Sequence, residues 1–136
     1  MSAGEAFFDT SVLLYLLSGD GGKADRVEEL LLRHGHISVQ VLNELAAVIL
    51  RKHALSIGEV REFLAGVREF CHTHPLTSET HEQRLEILQR YKFSLYDSMI
   101  IASAAGCGCR TLYSEDLQNG QVIEKRLKVI NPFSTP

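Results

Sequence analysis

The sequence lacks a long apolar segment, a basic N-terminal targeting segment and an even set of cysteines. No apolar run in its 136 residues approaches the roughly 20 residues that a membrane-spanning helix needs. Residues 1–5 carry none of the positive charge with which a signal peptide begins. Three cysteines are an odd number, which disfavours a disulfide framework and indicates a reducing compartment. These absences predict a cytoplasmic protein that does not associate with membranes.

The sequence also lacks an excess of basic charge. It has 14 Lys and Arg against 17 Asp and Glu, a formal net charge of -3, so no global basic field indicates nucleic-acid binding. The acidic excess lies in residues 1–83, whereas basic residues outnumber acidic ones in residues 84–136. If a polyanion binds, the second half of the chain is therefore the better candidate surface.

The remaining composition is that of an ordinary globular protein, with 45% apolar and 23% charged residues. The length predicts one domain over residues 1–136. Short apolar runs alternate with helical patterns, which predicts an α/β fold: a three-layer α/β/α sandwich with a mostly parallel central sheet. The predicted strands are residues 6–8, 36–39, 75–77, 111–113 and 128–130. The predicted helices are residues 12–17, 23–33, 39–51, 56–71, 80–91 and 94–105.

Four acidic residues stand in apolar surroundings: Asp9, Glu44, Asp97 and Asp116. Burying a carboxylate is costly unless a cation or hydrogen bonds compensate for the lost water. Two of the acids follow predicted strands and two lie on predicted helices, so a parallel sheet could gather them at one edge. Glu115 is next to Asp116 and could take its place. The set predicts a divalent-metal pocket that acts on phosphates.

Each acid also has an ordinary structural explanation. Asp9 could cap the helix that follows it, and Glu44 could be a boundary residue that reaches water. Ser94 and Asp97 match a capping box, in which Asp97 would only close the start of its helix. Asp116 lies in a predicted turn, where aspartate is common. The functional interpretation therefore depends on the joint occurrence of the four.

With these residues assembled, the chain resembles the PIN domain family, and within it the VapC-type toxins of type II toxin–antitoxin pairs. The resemblance covers nearly the whole chain and is most specific in the third and fourth of its segments. The matching segments are Phe8-Asp9-Thr10-Ser11, Asn43-Glu44-Leu45, Tyr96-Asp97-Ser98-Met99-Ile100-Ile101-Ala102, Leu112-Tyr113-Ser114-Glu115-Asp116-Leu117 and Val129-Ile130-Asn131-Pro132-Phe133.

The resemblance implies a metal-dependent endoribonuclease in which Asp9, Glu44, Asp97 and Asp116 are catalytic. Asp9, Asp97 and Asp116 would bind Mg²⁺ or Mn²⁺, while Glu44 would bind the metal or position the attacking water. No nucleophilic side chain is needed, because a metal-activated water can attack the phosphate.

The same resemblance implies supporting residues and partners. Supporting roles would fall to Thr10, Ser11, Ser114 and Glu115. The substrate would be RNA, and the protein partners would be a small antitoxin and a second copy of the chain in a homodimer. The residues that would hold RNA are basic ones in the second half: Arg90, Lys92 and Arg110, with Lys125 and Arg126 as further candidates.

Other functions remain as alternatives. The chain could be a catalytically silent PIN-like binding module, or a solitary PIN nuclease without an antitoxin. Phosphotransfer through Asp9 as a nucleophile is disfavoured, because Ser11 stands where that pattern has a second aspartate.

A zinc site is a further alternative. Cys107 and Cys109 could combine with Cys71, His72 and His74. Neither segment has Cys-x-x-Cys spacing, and Cys71 falls on a predicted core stripe, so buried thiols are the favoured interpretation.

Overall fold

The structure, a computed structural model, describes residues 5–134. Six strands form its sheet: β1 (Ala6–Phe8), β2 (Gly35–Ser38), β3 (Cys71–His74), β4 (Thr111–Tyr113), β5 (Val122–Ile123) and β6 (Leu127–Ile130). Its helices are α1 (Thr10–Leu13), α2 (Gly21–Leu31), α3 (Val39–Lys52), α4 (Ile57–Phe70), α5 (Ser78–Tyr91) and α6 (Leu95–Gly106). A short 3₁₀ helix, Leu14–Leu17, continues α1.

The strands are ordered β3-β2-β1-β4-β6-β5 across the sheet. Every pairing is parallel except that of β5 with β6. Parallel neighbours need a crossover connection, which helices supply from β1 to β4 and residues 114–126, including β5, supply between β4 and β6. The predicted three-layer α/β/α fold with a mostly parallel sheet is confirmed.

The centre of the sheet is covered on both faces. Phe7 and Phe8 are adjacent in β1 and point to opposite faces, yet both are completely buried. Ile37 of β2 and Leu112 of β4 are also fully buried. Continuous burial of this kind is typical of parallel strands between two helical layers.

The prediction of a strand over residues 75–77 is wrong. The strand is β3, which ends at His74 and pairs with β2 from Gly35 opposite Cys71 to Ser38 opposite His74. Pro75 has no N–H to donate to a sheet, so pairing stops before it. Cys71 was expected on the stripe of the preceding helix, but α4 ends at Phe70 and Cys71 opens the strand.

Two further features differ from the sequence prediction. The segment 12–17 is divided between α1 and the 3₁₀ helix. The two-residue strand β5 carries too few residues to show any period, and it was not predicted. Within the described residues, no helix combines the length and the apolar character that crossing a membrane requires.

The topology determines where the functional edge lies. Strands β1 and β4 are parallel neighbours, with Phe8 opposite Tyr113. Asp9 follows β1 and Ser114 follows β4, so both lie at the same carboxyl edge. In open α/β sheets this edge is where ligands bind.

Candidate active site

Asp9 is a buried carboxylate, with 5% of its surface exposed. It occupies the N-cap position of α1, but its side chain makes no capping hydrogen bond. Instead, its Oδ2 accepts hydrogen bonds from Ser114 Oγ at 2.7 Å and from Ser11 Oγ at 3.2 Å. Helix capping therefore does not account for this aspartate.

Ser114 connects the two strand ends. Its fully buried hydroxyl donates to Asp9 and accepts from the backbone N–H groups of Asp116, at 3.2 Å, and Leu117, at 3.3 Å. One donor and two acceptor positions are all that a hydroxyl offers, so this one is saturated. Ser114 thereby fixes the turn after β4 that carries Asp116 next to Asp9.

Asp97 lies in the first turn of α6. Ser94 Oγ accepts a hydrogen bond from the Asp97 backbone N–H at 3.0 Å, which is one half of a capping box. At α4 the capping box is complete: the Ser56 side chain accepts from the Glu59 backbone N–H, and the Glu59 side chain accepts from the Ser56 backbone N–H. At α6 the described residues show only the first kind of bond, from the Asp97 backbone to Ser94. The Asp97 carboxylate lines a cavity instead.

Glu44 reaches the same cavity from α3. Its neighbours Val41 and Leu45 are completely buried, whereas Glu44 is half-buried at the border of the apolar stripe. Gln40, one turn earlier, donates from Nε2 to Glu44 Oε2 at 3.4 Å. The boundary position expected from the sequence is present, and it directs Glu44 towards the other acids.

These elements enclose an open cavity of about 830 Å³ at the carboxyl edge of the sheet. All four predicted acids line it, and so do Thr10, Ser11 and Glu115. Four segments far apart in sequence therefore present carboxylates to one space.

The carboxylates influence one another electrostatically. Burial raises the pKa of Asp9 to about 6, and repulsion from Asp97 and Asp116 adds to this despite the stabilising Ser114 hydrogen bond. Burial also raises the pKa of Glu44 to about 7, with Asp9 as the largest of the repelling charges. The pKa of Asp116 is raised by burial and by Asp97 and Glu115. A pocket lined by mutually repelling carboxylates favours the binding of a cation.

A protein-family profile, that of the PIN domain, matches residues 6–122 and therefore most of the chain. The chain belongs to the PIN domain family. The family resemblance of the sequence is confirmed, and all four acids lie within the matched residues.

Solved structures similar to this PIN domain come from bacterial proteins of low sequence identity. A toxin–antitoxin complex from Klebsiella pneumoniae matches with a TM-score of 0.72 at 20% identity, covering 96% of this chain and 99% of that one. VapC20 of Mycobacterium tuberculosis, a Sarcin-Ricin loop cleaving toxin, matches with a TM-score of 0.62 at 21% identity, covering 82% and 89%. VapBC2 from Rickettsia felis, bound to a promoter DNA fragment, matches with a TM-score of 0.67 at 15% identity, covering 91% and 96%. At these identities the likeness shows the shared fold. No curated protein sequence matches the chain.

The donor set of the PIN domain cavity fits a hard divalent cation. Its acidic residues offer carboxylate oxygens, which are the ligands that Mg²⁺ and Mn²⁺ prefer. Thr10 adds a buried hydroxyl oxygen that has no hydrogen-bond partner among the described residues. Asp9, Asp97 and Asp116 are the residues that would hold such a cation, with Thr10 close to them on the cavity wall.

Glu115 differs from the other acids because its carboxylate already contacts one cation and one hydroxyl. Its Oε2 lies 3.1 Å from Lys23 Nζ, and Tyr15 donates a hydrogen bond to its Oε1. The Tyr15 hydrogen bond, followed by Lys23, lowers the pKa of Glu115 below its usual value. Glu115 therefore stabilises the cavity wall through these two contacts and is a poorer candidate ligand than Asp116.

The basic side chains that line the cavity are Arg51, Lys52 and His53. They were not among the predicted site residues, although helical spacing could have indicated the first of them. Arg51 is seven residues after Glu44 and thus lies on the same face of α3, two turns on.

The predicted RNA-binding residues lie elsewhere. Arg90 pairs with Glu124. Arg110 directly precedes β4, at the end of that strand away from the carboxyl edge, and its Nε lies 3.6 Å from Oε2 of Glu5. Lys92 ends α5 in a left-handed conformation. Their role in RNA binding stays a prediction.

Proposed function

We propose that this PIN domain is an Mg²⁺- or Mn²⁺-dependent endoribonuclease that acts as the toxin of a toxin–antitoxin pair. The observation that carries the proposal is the convergence of Asp9, Glu44, Asp97 and Asp116 on one cavity, with raised pKa values for three of the four. A binding module would gain nothing from concentrating negative charge in a half-buried space.

In this proposal each acid has a role. Asp9, Asp97 and Asp116 hold the cation, and Ser114 keeps Asp9 oriented through its 2.7 Å hydrogen bond. Glu44, whose pKa is raised to about 7, is suited to take a proton from the attacking water near neutral pH. When bound, the metal ion acidifies that water and offsets negative charge at the scissile phosphate.

The test is cleavage of RNA by the purified chain with and without Mg²⁺ or Mn²⁺. We expect cleavage that requires the cation and falls at least ~100-fold in Asp97→Asn, the scale expected when one electrostatic stabiliser is removed. Asp25→Asn, which neutralises an exposed carboxylate on α2, is the matched control and should keep full activity. Cleavage without metal, or a fully active Asp97→Asn, would contradict the mechanism. A complete lack of cleavage would favour the silent binding module.

We also propose a small antitoxin as a protein partner. The similar structure from Klebsiella pneumoniae is a toxin–antitoxin complex. An apolar cavity of about 490 Å³ lies between α2, α4 and the 3₁₀ helix, and its wall includes Leu32, which is 69% exposed. Co-purification with the product of a neighbouring small reading frame tests this, and its failure would favour a solitary nuclease. Light scattering after size-exclusion chromatography tests the homodimer that the resemblance implies.

A further inference from the structure

A second cluster of metal-binding side chains lies away from the acidic cavity. It consists of His36, His74 and Cys107, all of them half-buried. Nδ1 of His36 lies 2.8 Å from Nε2 of His74, and the three possible ligand atoms are all within 4.8 Å of one another. Among the described residues, no other group of three or more His, Cys, Asp or Glu side chains brings its possible ligand atoms this close together.

The fold explains why these residues meet. In the parallel pairing of β2 with β3, His36 is opposite His72, and His74 is two residues further along the same strand. The period of two places the three histidines on one face of the sheet. Helix α6 contacts β2 and ends at Gly106, so Cys107 emerges directly beside the histidines.

We propose that His36, His74 and Cys107 bind a thiophilic divalent cation, for which zinc is the best match. Zinc takes imidazole nitrogen at about 2.0–2.1 Å and thiolate sulfur at about 2.3 Å in a tetrahedral arrangement, so its ligand atoms stand roughly 3.3–3.8 Å apart. The possible ligand atoms of this cluster lie within 4.8 Å of one another, and the His36 and His74 nitrogens, now 2.8 Å apart, would separate by about half an ångström to bind the ion. Water would occupy the fourth position.

The protonation states of the cluster support this assignment. Burial, and then repulsion from His72 and His36, lower the pKa of His74, which keeps its imidazole neutral. The hydrogen bond between Cys107 and Cys109, whose Sγ atoms are 3.2 Å apart, lowers the pKa of the Cys107 thiol. Neutral imidazole and thiolate are the forms that bind zinc, and the thiol proton leaves to solvent as the metal–sulfur bond forms.

The proposed site is distinct from the acidic cavity in both chemistry and position. It offers nitrogen and sulfur, whereas the cavity offers oxygen, and these donor sets select different metals. Asp97 and Cys107 are ten residues apart at opposite ends of α6, which corresponds to about 15 Å along the helix. A bound ion would fasten the C-terminal end of α6 to β2 and β3.

The experiment uses the full chain, kept reduced, stripped of metal with a chelator and titrated with Co²⁺. We expect one equivalent to produce a near-ultraviolet thiolate-to-cobalt absorption band, and zinc to abolish it by displacing the cobalt. Because only a cysteine ligand gives this band, it separates the proposed site from any cobalt held by carboxylates. Zinc affinity is then measured by competition with a chromophoric chelator.

Four variants test the ligand set. Cys107→Ser should lose the band, and His74→Gln should weaken zinc binding at least ~100-fold, more than the ~10–100-fold typical of outer-shell changes. His72→Gln, which removes the adjacent exposed histidine, and Asp97→Asn in the acidic cavity should both keep the band and the affinity. Zinc should also raise the melting temperature of wild type but not of Cys107→Ser.

Three outcomes would overturn the proposal: no thiolate band in the reduced wild type, an unchanged band in Cys107→Ser, or loss of zinc binding in Asp97→Asn alone. Circular dichroism establishes that each variant is folded. If His74→Gln does not fold, His36→Gln provides the same measurement from the neighbouring strand.

Discussion

The ionised form of Asp9 is unfavourable because the side chain is buried beside other acids. Only 5% of the residue is exposed, and Asp97 and Asp116 repel it from the same cavity. The folded chain therefore holds a proton on Asp9 up to a pKa of about 6, whereas the usual value is 3.8. Glu44 behaves in the same way, with a pKa of about 7 against 4.5. Both shifts imply that the metal-free fold is less stable once these groups ionise.

The first prediction follows from the sign of this linkage. Between pH 4 and 7 the folded state binds more protons than the unfolded state, so stability falls as the pH rises. For Asp9 a shift of about two pKa units corresponds to a loss on the order of 2–3 kcal/mol above pH 7. With a chelator present, urea unfolding should therefore show wild type more stable at pH 5.5 than at pH 8. Asp9→Asn should reduce this difference and be more stable than wild type at pH 8.

The control for this prediction is Asp25→Asn on the exposed side of α2, which should keep the wild-type difference between the two pH values. Added Mg²⁺ should stabilise wild type at pH 8 and stabilise Asp9→Asn less. An Asp9→Asn variant with an unchanged pH difference would contradict the assigned role of burial at Asp9.

Sequence alone predicted which acids meet, because each of the four marks a strand end or a helix border. The residue types alone left Glu115 open as a substitute for Asp116, since the two are adjacent in a turn, and only the family resemblance put Asp116 first. The choice depends on Lys23 and Tyr15, which engage Glu115 from more than 90 residues away. Long-range contacts of this kind leave no periodic pattern in a sequence.

At the scale of elements, the close approach of β1 and β2 depends on a glycine. A Cβ placed on Gly35 would lie 2.7 Å from Cε2 of Phe8 and 2.9 Å from the backbone oxygen of Ala6. Phe8 is fully buried and the oxygen belongs to the backbone, so neither can move aside easily. The residue thus lets the strand preceding Asp9 pack closely against its neighbour.

The second prediction compares two glycine substitutions. Gly35→Ala should destabilise the fold by about 1–3 kcal/mol, the usual cost of forcing an extra methyl group into a packed region. Gly66→Ala, within α4, meets nothing within 4 Å and should stabilise by about 0.5–1 kcal/mol because alanine favours helix. Urea midpoints measured at constant m-value give both changes. Equal effects of the two variants would show that the contact with Phe8 and Ala6 does not limit packing.

Element prediction succeeded where the apolar pattern was clear and failed where no such pattern exists. The capping box at Ser56 and the periodic stripe of α4 predicted that helix almost to its ends. Strand β3 reads Cys-His-Thr-His and has no apolar alternation, so its position could not be recognised. What makes it a strand is its four-residue pairing with β2. Of the proposed zinc ligands, His74 and Cys107 were already candidates in the sequence, but His36 was not, because only the pairing of β2 with β3 brings it beside them.

At the scale of the whole molecule, the net charge of -3 is a poor guide to the surface beside the cavity. The excess of basic residues in the second half predicted RNA contacts at Arg90, Lys92 and Arg110. The basic residues that line the cavity instead come from the end of α3, in the acidic half of the chain. Charge counted along a sequence averages over faces that the fold separates.

The third prediction tests which of these basic groups contacts RNA, and it rests on the proposed ribonuclease function. Each phosphate contact to single-stranded RNA contributes about 0.7 to the slope of log affinity against log salt. In an Asp97→Asn background, which leaves the RNA intact, the pair Arg51→Gln and Lys52→Gln should weaken binding and lower the slope by about 1.4. Arg90→Gln, which removes a charge that is also exposed and is paired with Glu124, should leave the slope unchanged. Fluorescence anisotropy with a labelled single-stranded RNA at several salt concentrations gives both values. If Arg90→Gln lowers the slope and the α3 pair does not, RNA follows the surface predicted from the sequence, and the basic end of α3 serves the cavity in some way other than phosphate binding.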